Sequence, residues 1–250
     1  MSRRFIVESR LRLNPSTETT SDFTVSVPNY ININKLRLVE ATIPLTYFII
    51  NSTNNIINFT ETGTGTWQAV LTPGSYTNTS IVTEIAAAMN GVGATGPFSA
   101  TIDPLTNILT ISSGGPTFRI NTVSIVSNPL SIGRILGFGT TATGFANSHT
   151  SPGVINLAGS NELYITSSIV SGPLEEIIIL SVPDVTNIVD RIPIFQTVGT
   201  IQTLLQPDSL REVYIPNPDA FTVLDIQIRL PGGAIVNLNN ADVTLVFEFE

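Results

Sequence analysis

Lys35-Leu36-Arg37-Leu38-Val39-Glu40-Ala41-Thr42-Ile43-Pro44 alternates in character with a period of two, and proline stops it. Successive side chains of a strand point to opposite faces, so a run of this kind is a half-buried β-strand. The last residues repeat the pattern: Val243, Leu245, Phe247 and Phe249 alternate with Thr244, Glu248 and Glu250. Near the start, Val7, Ser9, Leu11 and Leu13 alternate with Glu8, Arg10 and Arg12, which predicts a strand over Phe5–Leu13, followed by another over Phe23–Val27. From residue 162 onward the same grammar predicts strands at Glu162–Ile169, Glu176–Val182, Ile192–Thr197, Arg211–Ile215, Phe221–Leu230 and Asp242–Phe249. Turn formers separate them: Ser171-Gly172-Pro173, Pro183-Asp184, Gln206-Pro207-Asp208, Pro216-Asn217-Pro218-Asp219 and Pro231-Gly232-Gly233. Three strands before the middle and about six after it make a two-sheet antiparallel jelly-roll β-sandwich, assigned to residues 1–50 and 160–250.

Residues 51–159 read differently, as a small inserted α+β domain. Ile56–Thr60 and Trp67–Leu71 are short strands, the second ending at Thr72-Pro73-Gly74-Ser75, where Pro73 and Gly74 fit a type II turn with positive φ at the glycine. A helix follows, with Asn78 as its cap, Ile81, Val82, Ile85, Ala88 and Met89 on one face, and Gly91 at its end. Phe98–Ile102 and Ile108–Ser112 are joined through the turn Asp103-Pro104-Leu105-Thr106-Asn107, and Phe118–Ile120 is a further strand. A second helix is predicted from Asn128-Pro129, carrying Leu130, Ile132, Ile135 and Leu136 and ending at Gly137, which lets Phe138 fold back. The Thr/Gly/Ser/Asn-rich stretch Gly139–Gly159 reads as an exposed loop.

Composition narrows the function classes. Only 12% of residues are charged against 42% hydrophobic, and the mean hydropathy is positive. Lys35 is the single lysine. A surface so poor in charge suits extensive subunit contacts. The net charge of −8 argues against a nucleic-acid-binding module, except at Arg3, Arg4, Arg10 and Arg12, which cluster at the start. There are no cysteines, which removes disulfides and thiolate metal sites and suits assembly in a reducing compartment. Met1-Ser2-Arg3-Arg4 leads into a strand rather than an apolar leader, and no apolar run is long enough to span a membrane.

Catalytic patterns are absent from the sequence. His149 is the one histidine, in a Ser/Thr/Pro-rich loop, and supports neither a Ser-His-Asp triad nor a metal site. Gly63-Thr64-Gly65-Thr66 and Gly91-Val92-Gly93 do not sit between a strand and a phosphate-facing helix. Glu175 and Glu176 are adjacent and point to opposite sides; Asp184 with Asp190, and Asp208 with Asp219, flank loops where a cation is the only conceivable guest. The expectation is no catalytic, cofactor-binding or metal residue and no cofactor.

Three stretches together resemble the penton and minor capsid proteins of virophages and related large double-stranded DNA viruses. They are Leu71-Thr72-Pro73-Gly74-Ser75-Tyr76-Thr77 with the helix ending Ala86-Ala87-Ala88-Met89-Asn90, the hairpin Phe98–Ile111, and Ser131-Ile132-Gly133-Arg134-Ile135-Leu136-Gly137-Phe138. The resemblance implies a non-enzymatic capsid protein in which five copies of a jelly roll meet at an icosahedral vertex and the inserted domain faces outward. It implies a homopentamer, contact with the major capsid protein, contact of the inserted domain with a host receptor or fibre, and a place in the virion after synthesis in the host cytoplasm. The alternative is a trimeric receptor- or carbohydrate-binding fibre head, whose sugar platform would use Trp67, Tyr76 or Phe145 in a loop cluster. A glycan-active enzyme is the weakest reading, because convergent carboxylates are lacking.

Overall fold

The structure, a computed structural model, describes residues 3–27, 34–121, 132–139, 142–170, 187–205, 212–215, 222–231 and 233–249. It is mainly β, with antiparallel sheets and one α-helix among the described residues. The chain divides into two compact units, Met1–Tyr47 with Ser160–Glu250, and Phe48–Gly159.

The first unit holds β1 (Arg3–Glu8), β2 (Asp22–Ser26), β3 (Lys35–Pro44), β10 (Glu162–Thr166), β11 (Ile188–Pro193), β12 (Ile201–Leu205), β13 (Val213–Tyr214), β14 (Val223–Arg229) and β15 (Thr244–Phe249). One sheet runs β1-β15-β3-β12, with β13 also on β3; the other runs β11-β10-β14-β2. Apart from the two-residue β13, the strands pair as nested antiparallel partners. The first pairs with the last (β1 with β15), β2 with β14, β3 with β12, and β10 with β11. Leu36, Leu38, Phe247 and Phe249 of one sheet and Phe23, Leu163, Ile165 and Leu224 of the other belong to a single buried cluster. Each such side chain contributes roughly 1.5–3 kcal/mol when fully buried, so the alternating positions are what hold the two sheets together.

Two departures from strict alternation have local causes. Strand β3 is buried at Leu36 and Leu38 and then again at Val39 and Ala41, so its phase slips by one. The pairing register with β15 shifts at the same place, between Val246 and Phe247, which is the signature of a β-bulge. The strand expected over Phe5–Leu13 ends at Glu8. Ser9 is fully buried there, its N–H donating to Val243 O (3.0 Å) and its Oγ donating to Asp242 Oδ1 (2.9 Å) while accepting from Val243 N (2.9 Å). A 3-10 turn, Ser9–Leu11, then carries the chain away.

Other boundaries also move. The strand expected over Ile192–Thr197 is met only at Ile192 and Pro193, the end of β11, with β12 following it, and Glu162–Ile169 shortens to β10. The strand Glu176–Val182, and the turns at Ser171-Gly172-Pro173, Pro183-Asp184, Gln206-Pro207-Asp208 and Pro216-Asn217-Pro218-Asp219, lie outside the described residues.

The second unit holds β4 (Ile56–Glu61), β5 (Gly65–Val70), α1 (Asn78–Gly91), β6 (Phe98–Ile102), β7 (Ile108–Ser113), β8 (Phe118–Ile120) and β9 (Ser148–Val154). Its two three-stranded sheets run β5-β4-β8 and β6-β7-β9. Ile81, Ile85 and Met89, four residues apart, form the buried stripe of α1 and join one core with Phe59, Phe98, Leu109 and Phe118. Phe59, Phe98 and Phe118 contact edge to face at centroid distances of 5.2 Å each.

Thr77, not Asn78, caps α1: its Oγ1 accepts from Ser80 N (3.2 Å) and its own N–H donates to Ser80 Oγ (2.9 Å). Gly91 remains helical, and the left-handed residue past the end is Gly93, φ +82°. Gly74 has no positive φ, so the type II turn does not form. Instead Gly74 bridges Ile50 through a reciprocal pair of backbone hydrogen bonds, and the Tyr76 hydroxyl donates back to Thr72 O. The expected helix start at Asn128-Pro129 lies outside the described residues. Its end is present as turns over 133–137. Phe138 N–H donates to Gly133 O (2.8 Å) and Gly137 N–H to Arg134 O (3.2 Å), with Gly137 at φ +80°, a Schellman closure. The expected loop Gly139–Gly159 contains β9, which completes a sheet with β7.

Candidate functional site

His149 is a core residue of β9, 7% exposed, against the expectation of an exposed loop histidine. Its Nε2 lies 2.6 Å from Phe118 O, and its ring meets the Phe118 ring edge to face at 4.5 Å. Both interactions are structural. Among the described residues no three His, Asp or Glu side chains gather where they could hold a metal ion. Asp190 is buried in β11 with Oδ1 accepting from Arg191 N (2.7 Å). Its expected companion Asp184, and Glu175, Glu176, Asp208 and Asp219, lie outside the described residues.

The sequence reading passed over Glu61, which is 1% exposed at the end of β4. Burial pushes its carboxyl up, but the Thr64 hydroxyl (2.6 Å) and the N–H groups of Thr95 and Gly96 (2.9 Å each) outweigh that and hold it below the usual carboxylate range. Glu61 therefore ties the segment before β6 to the β4–β5 hairpin. On β15, buried Glu248 accepts from Arg37 Nε at 2.9 Å.

Of the aromatic residues offered as alternatives for a sugar platform, Trp67, Tyr76 or Phe145, two pack on a core. Trp67 packs half-buried against the second unit's core, with its Nε1 buried and lacking a hydrogen-bond partner. Tyr76 packs on the same core beside Gly74. Only Phe145 is exposed, with the Arg119 guanidinium 5.1 Å from its ring centroid.

A largely apolar groove lies in the first unit. Among the described strands β1 ends one sheet and β2 ends the other, and the groove, of about 280 Å³, lies between them. Phe5, Val7, Leu11, Leu13, Val25 and Val27 supply its apolar lining. Leu11 and Leu13 are exposed because the 3-10 turn lifts them off the strand alternation. The arginine cluster sits on this margin. Arg10 pairs with Glu8 (2.8 Å) and Arg12 Nη1 donates to Ser9 O (3.0 Å), whereas Arg3 and Arg4 are exposed and make no ion pair among the described residues.

No family model matches the chain, and no curated protein matches it in sequence. A chain of the Sputnik virophage structure is 11% identical, covering 99% of this chain and 97% of that one, with a TM-score of 0.43. The mavirus penton protein, known from its crystal structure, is 12% identical and aligns over 100% of this chain and 99% of that one, with a TM-score of 0.51. The resemblance drawn from the sequence is thus borne out at the level of the fold: from end to end, the chain is built like the mavirus penton protein.

Proposed function

We propose that the protein is a structural, non-enzymatic capsid component that forms the five-fold vertices of an icosahedral double-stranded DNA virus or virophage. The end-to-end likeness to the mavirus penton protein carries this reading, because both units are matched and not the β body alone. The nested pairing of eight strands, first with last through fourth with fifth, supports a jelly roll for the body. In this reading residues 1–50 and 160–250 are the capsid body. Residues 51–159 are an α+β domain inserted between the body's third and fourth strands, β3 and β10, and directed toward a host receptor or fibre. Five copies close a ring through a heterologous interface, in which one patch meets a different patch on the neighbour, and the ring seats against the major capsid protein. The protein acts by geometry in the virion, following synthesis in the host cytoplasm, and needs no cofactor.

The test is the mass of the purified protein by light scattering together with negative-stain images, alone and mixed with the major capsid protein. Five-fold rings in either sample support the reading. A stable trimer in both overturns it in favour of a fibre head, to be followed by a glycan-binding screen.

A further inference from the structure

We propose that the groove between β1 and β2 takes up an extended acidic segment of a partner protein, added as a strand alongside β1. The inference goes beyond the vertex reading and does not depend on it. Among the described residues strand β1 has one strand neighbour, β15, and no strand lies along its other backbone edge. Four consecutive residues, Phe5, Ile6, Val7 and Glu8, line the groove. On the face of a sheet only alternate residues line a hollow, so a consecutive run means that the groove follows the open edge. An added strand finds backbone partners there and sends alternate side chains onto Phe5, Val7 and Val25.

Charge selects the occupant. The chain carries a net charge of −8, yet this edge bears Arg3 and Arg4 without ion-pair partners among the described residues, while the one carboxylate on it, Glu8, is matched by Arg10. An acidic segment with apolar residues at every second position satisfies both the cationic margin and the apolar floor. The edge also leaves Ile6, Leu11 and Leu13 exposed, at 68%, 63% and 46%. Uncovered, such an edge invites indiscriminate pairing, and an occupant removes that hazard.

The experiment uses the full chain and a fluorescein-labelled six-residue peptide, the length of β1, of alternating Glu and Val. Its anisotropy should report saturable binding that weakens with salt. Peptides of alternating Lys and Val, of alternating Glu and Ser, and of Glu and Val with alternate amides methylated should bind about tenfold more weakly or worse. Arg3→Glu with Arg4→Glu should weaken the Glu/Val peptide similarly and leave the melting midpoint unchanged, since both side chains are exposed. Absence of binding by the Glu/Val peptide overturns the proposal, as does equal binding of the methylated or Glu/Ser peptide. Self-association of the protein that the paired arginine substitutions abolish also overturns it, by assigning the edge to a second copy. Each of these results is distinct from the presence or absence of five-fold rings.

Discussion

Glu61 and Gly137 are fixed by what surrounds them, and each gives a defined mutational outcome. The Glu61 carboxyl is depressed in the folded state, so the unfolded chain binds its proton more readily. Its contribution is therefore fully present above the unfolded value, about 4.3, and is lost as pH falls through the lower folded value. We expect Glu61→Gln to cost about 1–3 kcal/mol at neutral pH and to flatten the acid limb of stability, as read from urea midpoints across pH. A Cβ at Gly137 would stand 2.2 Å from Gly153 O at φ +80°. Gly137→Ala should therefore cost about 1–3 kcal/mol or more. At Gly74 the same addition meets only the Tyr76 ring at 3.5 Å and ordinary φ, so Gly74→Ala should change stability by less than about 0.5 kcal/mol. The sequence distinguished these glycines poorly. Gly137 followed an apolar helical pattern and was legible, whereas Pro73-Gly74 imitates a turn signature that the bridge to Ile50 overrides. Glu61 was illegible because, beyond the nearby Thr64 hydroxyl, the N–H groups that hold it belong to Thr95 and Gly96, more than thirty residues away, and a backbone N–H leaves no mark in the sequence.

At the scale of elements, periodicity served well where one face is buried and the other is not. Strand β3 and the hairpin of β6 and β7 fall at or close to the expected places. Its bulge was visible in hindsight, since Leu38-Val39 places two apolar residues side by side. Strand β9 was hidden because Ser148-His149-Thr150-Ser151-Pro152 carries almost no apolar signal; its inward residues are His149 and Ser151, which bond to Phe118 O and Leu109 N instead of packing as hydrocarbon. Helix α1 was legible in its apolar stripe but displaced by one residue at its cap, where Thr77 and Asn78 are both suitable types. Thr77→Ala should cost about 1 kcal/mol by thermal melting, and Asn78→Ala, which removes no cap, should cost clearly less.

Among the described residues the buried side chains form two clusters, one in each unit. Cores that share no cluster need not melt together. Calorimetry is expected to resolve two transitions, and Glu61→Gln should lower only the one belonging to Phe48–Gly159; a single transition that shifts as a whole would refute the separation. The candidate site was only half legible at this scale. The arginine cluster stood out in the sequence, but the groove depends on β1 and β2 each ending a sheet, which no local pattern encodes.

Nested pairing also orders events in time. Strand β1 cannot meet β15 until Arg3 and Phe249 coexist, so the body waits for β15 to leave the ribosome. The described strands of Phe48–Gly159 pair with one another, and that unit is synthesised some ninety residues before β15 is complete. At roughly 5–20 residues per second, that is a head start of about 5–20 s. The guest thus matures before its host, and β1, β2 and β3 emerge ahead of both their partners and the guest yet are held back as unpaired strands, where a translational chaperone has its opening.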